Sequence, residues 1–299
     1  MANKITVYLR LMRPANIVTS VADVLAGVAI SGYFLNLHIT TGSLYPIALL
    51  CLSTMGLYAG GIVFNDVFDA ELDKVERPER AIPSGAISIK EATYFGIFLL
   101  LWGIGFAFSY SNHSGAIAVA IAFFALLYNK VSKHYAFVGP LNMGLCRGIN
   151  LLLGISIVAT SLDKWYYLAI VPILYIFSIT MISQGEVHGG NKRNLYIGGF
   201  LYLVVIFAIH LISAQQGHEV MLLTLMFLLP FAWMIYRPLF KAINDPTGKN
   251  IGMAVKAGVI SLILMDAAWA AAFGAFGAAV FIACLLPVSM RFAKVFAVT

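Results

Sequence analysis

Ten apolar segments, each close to the length needed to cross a bilayer, follow one another along almost the whole chain. They run at roughly 17–34, 43–64, 92–110, 114–129, 138–160, 165–182, 196–213, 219–236, 254–272 and 275–290. The fourth and the last are the shortest. Polar loops such as "SNHSG", "SLDKW", "SAQQGHE" and "NDPTGKN" separate several of them. In hydrocarbon a backbone must satisfy its own hydrogen bonds, and runs this long do so as helices rather than as short alternating barrel strands. The expected fold is therefore all-α. It is a polytopic membrane bundle of 9–10 transmembrane helices, in a single transmembrane domain over 1–299. Composition agrees, with 61% hydrophobic and 11% charged residues.

The charges are unevenly placed. With the N-terminus in the cytoplasm, Lys4, Arg10 and Arg13 share a side with Lys74, Arg77, Arg80, Lys90, Lys130 and Lys133. Lys192, Arg193, Arg237, Lys241, Lys249, Lys256, Arg291 and Lys294 join them. Opposite stands only Lys164, and Arg147 falls inside a helix. This bias puts both termini and these loops in the cytoplasm. It accounts for the net charge of +6 without a nucleic-acid partner; the expected surroundings are membrane lipid. The basic start before the first apolar run resembles a signal peptide, but Asp23 interrupts the run. A retained first helix is expected. Cys51, Cys146 and Cys284 lie in apolar runs without metal-binding spacing and read as small buried hydrophobes.

One loop on the basic side is also acidic. Asn65–Gly85, "NDVFDAELDKVERPERAIPSG", holds Asp66, Asp69, Glu71, Asp73, Glu76 and Glu79, six of the chain's 13 acidic residues. Asp66, Asp69 and Asp73 are spaced i, i+3, i+7, so a helix continuing past the membrane surface presents them on one side. Three like charges there call for a cation. Carboxylates beside the Asn65 amide suit a hard ion such as Mg²⁺, which keeps waters and binds substrate phosphates. Lys74, Arg77 and Arg80 follow, and arginine matches phosphate oxygens in a fork. Metal ligands and phosphate binders at the mouth of a membrane bundle point to a diphosphate whose tail lies in lipid. The plain alternative is a solvated loop of mixed charge. A second polar stretch, "SQGEVHGGNKRN" (183–194), falls four crossings later on the same face.

"NDVFDAELD" resembles the NDxxDxxxD motif of the UbiA superfamily of intramembrane prenyltransferases. "ERPERAIPSG" is similar to that family's xRPIPSG ending, with Ala81 where Pro is expected. "RLMRPAN" (Arg10–Asn16) resembles its opening helix. "LYNKVSKHYAFVGPLNMGLCRG" (Leu127–Gly148) resembles its loop and fifth helix, with the usual Tyr, Lys and Arg. The resemblance implies a bundle, usually of nine helices, around a central cavity open to lipid. Two Asp-rich motifs would bind Mg²⁺ and the diphosphate of an isoprenoid donor, whose allylic cation is attacked by an aromatic or other lipophilic acceptor. Carried onto this sequence, the metal ligands would be Asn65, Asp66, Asp69, Asp73 and Glu186. Asp66, Asp69, Arg147 and Lys133 would be catalytic. Asn16, Asn65, Arg77, Arg80, Tyr128, Lys130 and Lys192 would bind the diphosphate end.

The second motif departs from the family pattern DxEGDxxxG. Its nearest alignment here is Ile182, Ser183, Gln184, Gly185, Glu186 and Gly190, with one carboxylate left and His188 added. This half-degenerate pattern, "NDPTGKNIGMAVKAG" and the ending "RFAKVFAVT" are similar to UbiA-like proteins called EboC, which implies a bacterial inner membrane. Several residues keep two readings. Arg147 either meets a diphosphate or acidic acceptor, or snorkels to the interface. Lys130 and Lys133 either bind phosphate or simply set topology. Asp23 and Asp266 read as structural more than catalytic, and Asn16 and Asn150 either line the cavity or join helices. Three functions follow: a prenyltransferase, a UbiA-like protein that binds or helps export a lipophilic metabolite, and an ion-coupled transporter using Asp23 and Asp266. The last gives no reason for the arginines beside Asp66–Asp73.

Overall fold

The computed structural model describes residues 4–36, 40–186, 189–190 and 192–296. His188 lies outside the described residues. Fourteen α-helices carry the chain among them. In order they are α1 (Lys4–Met12), α2 (Pro14–Ile30), α3 (Thr41–Phe68), α4 (Ala70–Glu76), α5 (Ile89–Tyr110), α6 (Asn112–Lys130) and α7 (Val138–Ile155). Then come α8 (Ala159–Trp165), α9 (Ile170–Ser183), α10 (Lys192–Gln216), α11 (His218–Asn244), α12 (Gly248–Ala272), α13 (Phe276–Ala283) and α14 (Leu285–Val295).

Among the described residues, nine helical stretches are long and apolar enough to cross a membrane, with 159–183 and 276–295 each counted once. The bent pair α1 and α2 makes a tenth. The fourth and last apolar segments, the shortest in sequence, are both among the nine, and the bent pair breaks by 48° at Arg13. Pro14 follows Arg13 and disfavours a helical backbone there. Arg13 takes the left-handed conformation (φ 49°, ψ 70°) instead, the one non-glycine residue with positive φ among those described.

α2 and α12 lie innermost. From Ala22 to Ile30 and from Ile260 to Ala272 every residue is buried. α2 packs on α7, α3 and α12; α9 and α11 pack on α12; α5 packs on α3. In lipid, helices attract by close contact rather than by the hydrophobic effect, so small residues mark the seams. α2 and α7 meet at Gly27 and Gly154: a Cβ on Gly154 would lie 2.1 Å from the Val24 carbonyl oxygen and 2.9 Å from the Gly27 Cα. Gly56 and Gly103 let α3 and α5 touch in the same way. Gly154→Ala is expected to cost about 1–3 kcal/mol through overpacking, read as a lower melting temperature in detergent. Gly105→Ala, whose Cβ meets open space, serves as the matched control.

Candidate active site

Helix periodicity selects which α3 residues face inward. Thr54, Tyr58, Gly61, Ile62 and Asn65 follow one stripe and, with Asp69 just past its end, line a cavity of about 480 Å³. α2, α4, α6, α7, α9 and α12 supply the remaining walls. At one end the lining is charged: Arg13, Asp69, Asp73, Glu76, Arg77, Arg80 and Glu186. Further in, Ile121, Ile176, Ile179, Val255, Val259 and Leu262 form an apolar wall. The two polar loops far apart in sequence therefore meet at one mouth.

α3 does not continue unbroken through the acidic run. It ends at Phe68, Asp69 takes the junction, and α4 resumes at Ala70. Asp66 and Asp73 still share a side, because Arg80 reaches both Asp73 (2.7 Å) and Asp66 (3.4 Å). Arg13 donates to Asp66 at 2.8 Å, and Lys133 donates to Asp69. Each aspartate thus has a resident cation, and all these side chains are largely shielded from water. Asp66 is buried behind Arg13 and Arg80 and is not part of the cavity lining.

The Asn65 amide nitrogen donates to Asn129 (3.2 Å), whose own nitrogen donates to the Gly61 carbonyl (2.8 Å). That fixes the Asn65 side chain and leaves its carbonyl oxygen for a cation. Donors at the mouth are all oxygens, the chemistry Mg²⁺ prefers. Among the described residues no three carboxylate, His or Cys groups converge into a ready-made cage. Mg²⁺ commonly binds through one or two carboxylates completed by phosphate and water, so the residues present fit it.

The second polar stretch is read differently in three dimensions. Ile182, where the family pattern expects an acid, is buried in the contact between α9 and α10, against Gly198. The Gln184 side chain donates to the Ala136 carbonyl (2.7 Å) and accepts from Asn194 (3.1 Å), tying α9 to its neighbours. The face of α9 that meets the cavity instead carries Ile176, Ile179, Thr180 and Ser183, with Glu186 just beyond. Gly252 on α12 makes room for Glu186, since a Cβ there would lie 2.9 Å from its Oε1.

Partial burial pushes the Glu186 carboxyl above the usual range, and Arg77 partly offsets this. The folded protein holds that proton more tightly than the unfolded chain does. The stability it gives is therefore full at low pH and lost as pH rises through the raised value. Glu186→Gln removes the loss. At neutral pH in EDTA its melting temperature is expected to equal or slightly exceed that of the parent. Mg²⁺-dependent binding of a diphosphate analogue should weaken about 10–100-fold.

Of the residues singled out from sequence, Asn16, Asn65, Asp69, Asp73, Arg77, Arg80, Tyr128, Arg147 and Glu186 line the cavity. Lys133 joins them through Asp69. Lys130 and Lys192 are exposed and outside the lining. Arg147 reaches neither the charged mouth nor the interface. It is buried deeper, bonded to Asp23 (2.5 Å) and Thr19 (2.7 Å), with Tyr58 at 3.2 Å. Arg13, Tyr58 and Asn129 escaped the sequence reading. In sequence Arg13 reads as a topology charge, although the following proline marks a backbone break. Tyr58 sits one turn after Thr54 and two before Asn65, on the stripe that leads to the acids.

A digeranylgeranylglyceryl phosphate synthase of Saccharolobus solfataricus is 31% identical over 178 residues, 59% of this chain and 60% of that protein. The chain thus matches less than two thirds of that curated relative. A solved digeranylgeranylglyceryl phosphate synthase structure aligns with a TM-score of 0.65 at 23% identity, over 92% of this chain and 99% of the other. A UbiA homologue from Archaeoglobus fulgidus, bound to DMAPP and Mg²⁺, aligns with a TM-score of 0.62 at 15% identity, over 86% and 98%. These likenesses show the fold. The relatives are synthases of this kind and do not carry the EboC-like subgroup expected above. The profile of UbiA prenyltransferases matches residues 24–249, from within α2 to the start of α12, and so takes in both polar stretches at the mouth; the chain belongs to the UbiA prenyltransferase family.

Proposed function

We propose that the chain is an intramembrane prenyltransferase. It moves a prenyl group from an isoprenoid diphosphate to a small lipophilic acceptor, an aromatic ring or another nucleophile, in a Mg²⁺-dependent reaction. The observation that carries this reading is the division of one cavity into an acid- and arginine-lined mouth and an apolar interior. Asn65, Asp69, Asp73 and Glu186 would hold Mg²⁺, with Asp66 behind them. Mg²⁺, when bound, offsets the negative charge that builds on the departing diphosphate. Arg77 and Arg80 grip phosphate oxygens. Arg80 and Lys133 now neutralise Asp73 and Asp69; with Mg²⁺ held by those aspartates, both cations would be available to the diphosphate. The apolar wall receives the prenyl tail and keeps water from the reacting carbon. The synthase relatives and the Mg²⁺-bound homologue support the reading. On the charge bias the mouth would face the cytoplasm, in what the sequence resemblance makes a bacterial inner membrane.

A second reading, a UbiA-like protein that binds or helps export a lipophilic metabolite, is favoured by one observation. Ile182 is buried and Gln184 is bonded to Ala136 and Asn194, which leaves Glu186 as the carboxylate on that wall. Purified protein with dimethylallyl, geranyl or geranylgeranyl diphosphate separates the two. The transferase releases diphosphate when Mg²⁺ and an acceptor are both present. Tight donor binding without release, across phenolic and alcohol acceptors, would establish the binding protein instead.

A further inference from the structure

Beneath the charged mouth lies a second polar group of side chains that diphosphate binding does not use. Arg147 and Asn150 on α7 and Thr54 and Tyr58 on α3 all line the cavity. Arg147 donates to Asp23, Thr19 and Tyr58, and its guanidinium lies over the Tyr58 ring, 4.7 Å from the centroid. Asn150 donates to Asp23 (3.0 Å) and to the Ser20 carbonyl (2.9 Å), and accepts from Thr54 (2.7 Å). Asp266 of α12 is buried close behind Asp23. Asp23 Oδ1 and Asp266 Oδ2 find no hydrogen-bond partner among the described residues.

This is an expensive arrangement to bury in a membrane, and packing α2 against α7 does not need it: Gly27 and Gly154 already provide that seam. A prenyl tail gains nothing from it either, because the opposite wall is apolar. What the group offers the cavity is hydrogen bonding without net charge. The Arg147 cation is matched by Asp23 with a second carboxyl behind it, so an added anion would stand among more acids than bases. The Tyr58 hydroxyl accepts from Arg147 and keeps its own proton to donate. Three of the five guanidinium N–H groups are spent on Asp23, Thr19 and Tyr58, and two are left.

We propose that Tyr58, Arg147, Asn150 and Thr54 form the acceptor subsite, and that it selects a neutral oxygen function over a phosphate or carboxylate. This rests on the transferase reading above and names the class of acceptor. Tyr58 and Asn65 are seven residues apart on α3, about 10 Å along the axis. The attacking oxygen must come within about 3–3.5 Å of the carbon bonded to diphosphate. The subsite therefore holds an oxygen of the acceptor other than the one that reacts, as in a polyhydroxylated lipid.

The test compares a 1-alkylglycerol with its phosphate monoester, binding to purified protein without donor. The alkylglycerol is expected to bind at least about tenfold more tightly, and Tyr58→Phe to weaken it by about tenfold, the loss of one hydrogen bond. Binding of a thio-diphosphate donor analogue with Mg²⁺ should stay within about twofold in that variant. Asp23→Asn combined with Asp266→Asn should shift the preference toward the phosphate. Should that double variant not fold, Tyr58→Phe decides alone. Tighter binding of the phosphate by the parent protein, or equal weakening of donor and acceptor by Tyr58→Phe, overturns the subsite. Failure of the donor analogue to bind strikes the transferase reading instead, and leaves the acceptor preference to be read on its own.

Discussion

Asp69→Asn is expected to lower Mg²⁺-dependent diphosphate release by about 10²–10³-fold, the scale of losing one group that stabilises developing charge. Asp69 sits where α3 gives way to α4 and lines the cavity, and Lys133 is its cation partner. The amide keeps the shape and removes the negative charge. Two effects follow: Mg²⁺ loses a ligand, and Lys133 loses its partner at the mouth. Single-turnover release of diphosphate at saturating donor, titrated with Mg²⁺, measures the first. An unchanged elution profile and melting temperature show that the protein still folds. Full activity at low Mg²⁺ in this variant would remove the acidic run from the site.

The largest expected effect on stability lies at Arg147. Arg147→Met leaves Asp23 buried without its cation and is expected to cost about 3–5 kcal/mol. Asp23 and Arg147 expose 1% and 5% of their side chains, so water does not replace the lost bond. The double variant Arg147→Met with Asp23→Leu should recover most of the loss, since a buried pair replaced by apolar groups is often neutral. Unfolding midpoints in a detergent titration measure both. A single variant as stable as the parent would mean that the Asp23–Arg147 pair does not hold the fold.

The two predictions separate what pattern reveals from what packing reveals. The run Asn65–Arg80 was legible because like charges at helical spacing need counter-ions nearby, whatever the rest of the chain does. Its partners were not legible. Arg13 and Lys133 lie 53 and 64 residues from the aspartates they meet; in sequence Arg13 looks like an ordinary topology charge, and Lys133 like a phosphate binder or a topology charge rather than the partner of Asp69. Arg147 shows the same limit more sharply. Sequence offered it a diphosphate, an acidic acceptor or the interface, and the fold gave it Asp23, 124 residues away. Nothing local distinguishes these, because Asp23 and Arg147 face each other only after α2 and α7 have packed through Gly27 and Gly154. Ile182 and Gln184 teach the converse. Aligned to a motif they look like lost ligands, but burial against Gly198 and a bond to Ala136 show them holding α9 in place.

By itself the sequence determined that this chain crosses a membrane as helices, how many times to within one bent segment, and where its acids gather. Those features follow from properties local to a stretch of chain: apolar length, charge bias across loops and the 3.6-residue turn. Tertiary structure decided which cation neutralises which acid, which face of α9 meets the cavity, and that a second polar group lies beneath the first. Those depend on distances between residues many tens of positions apart, which are set when helices pack and not before.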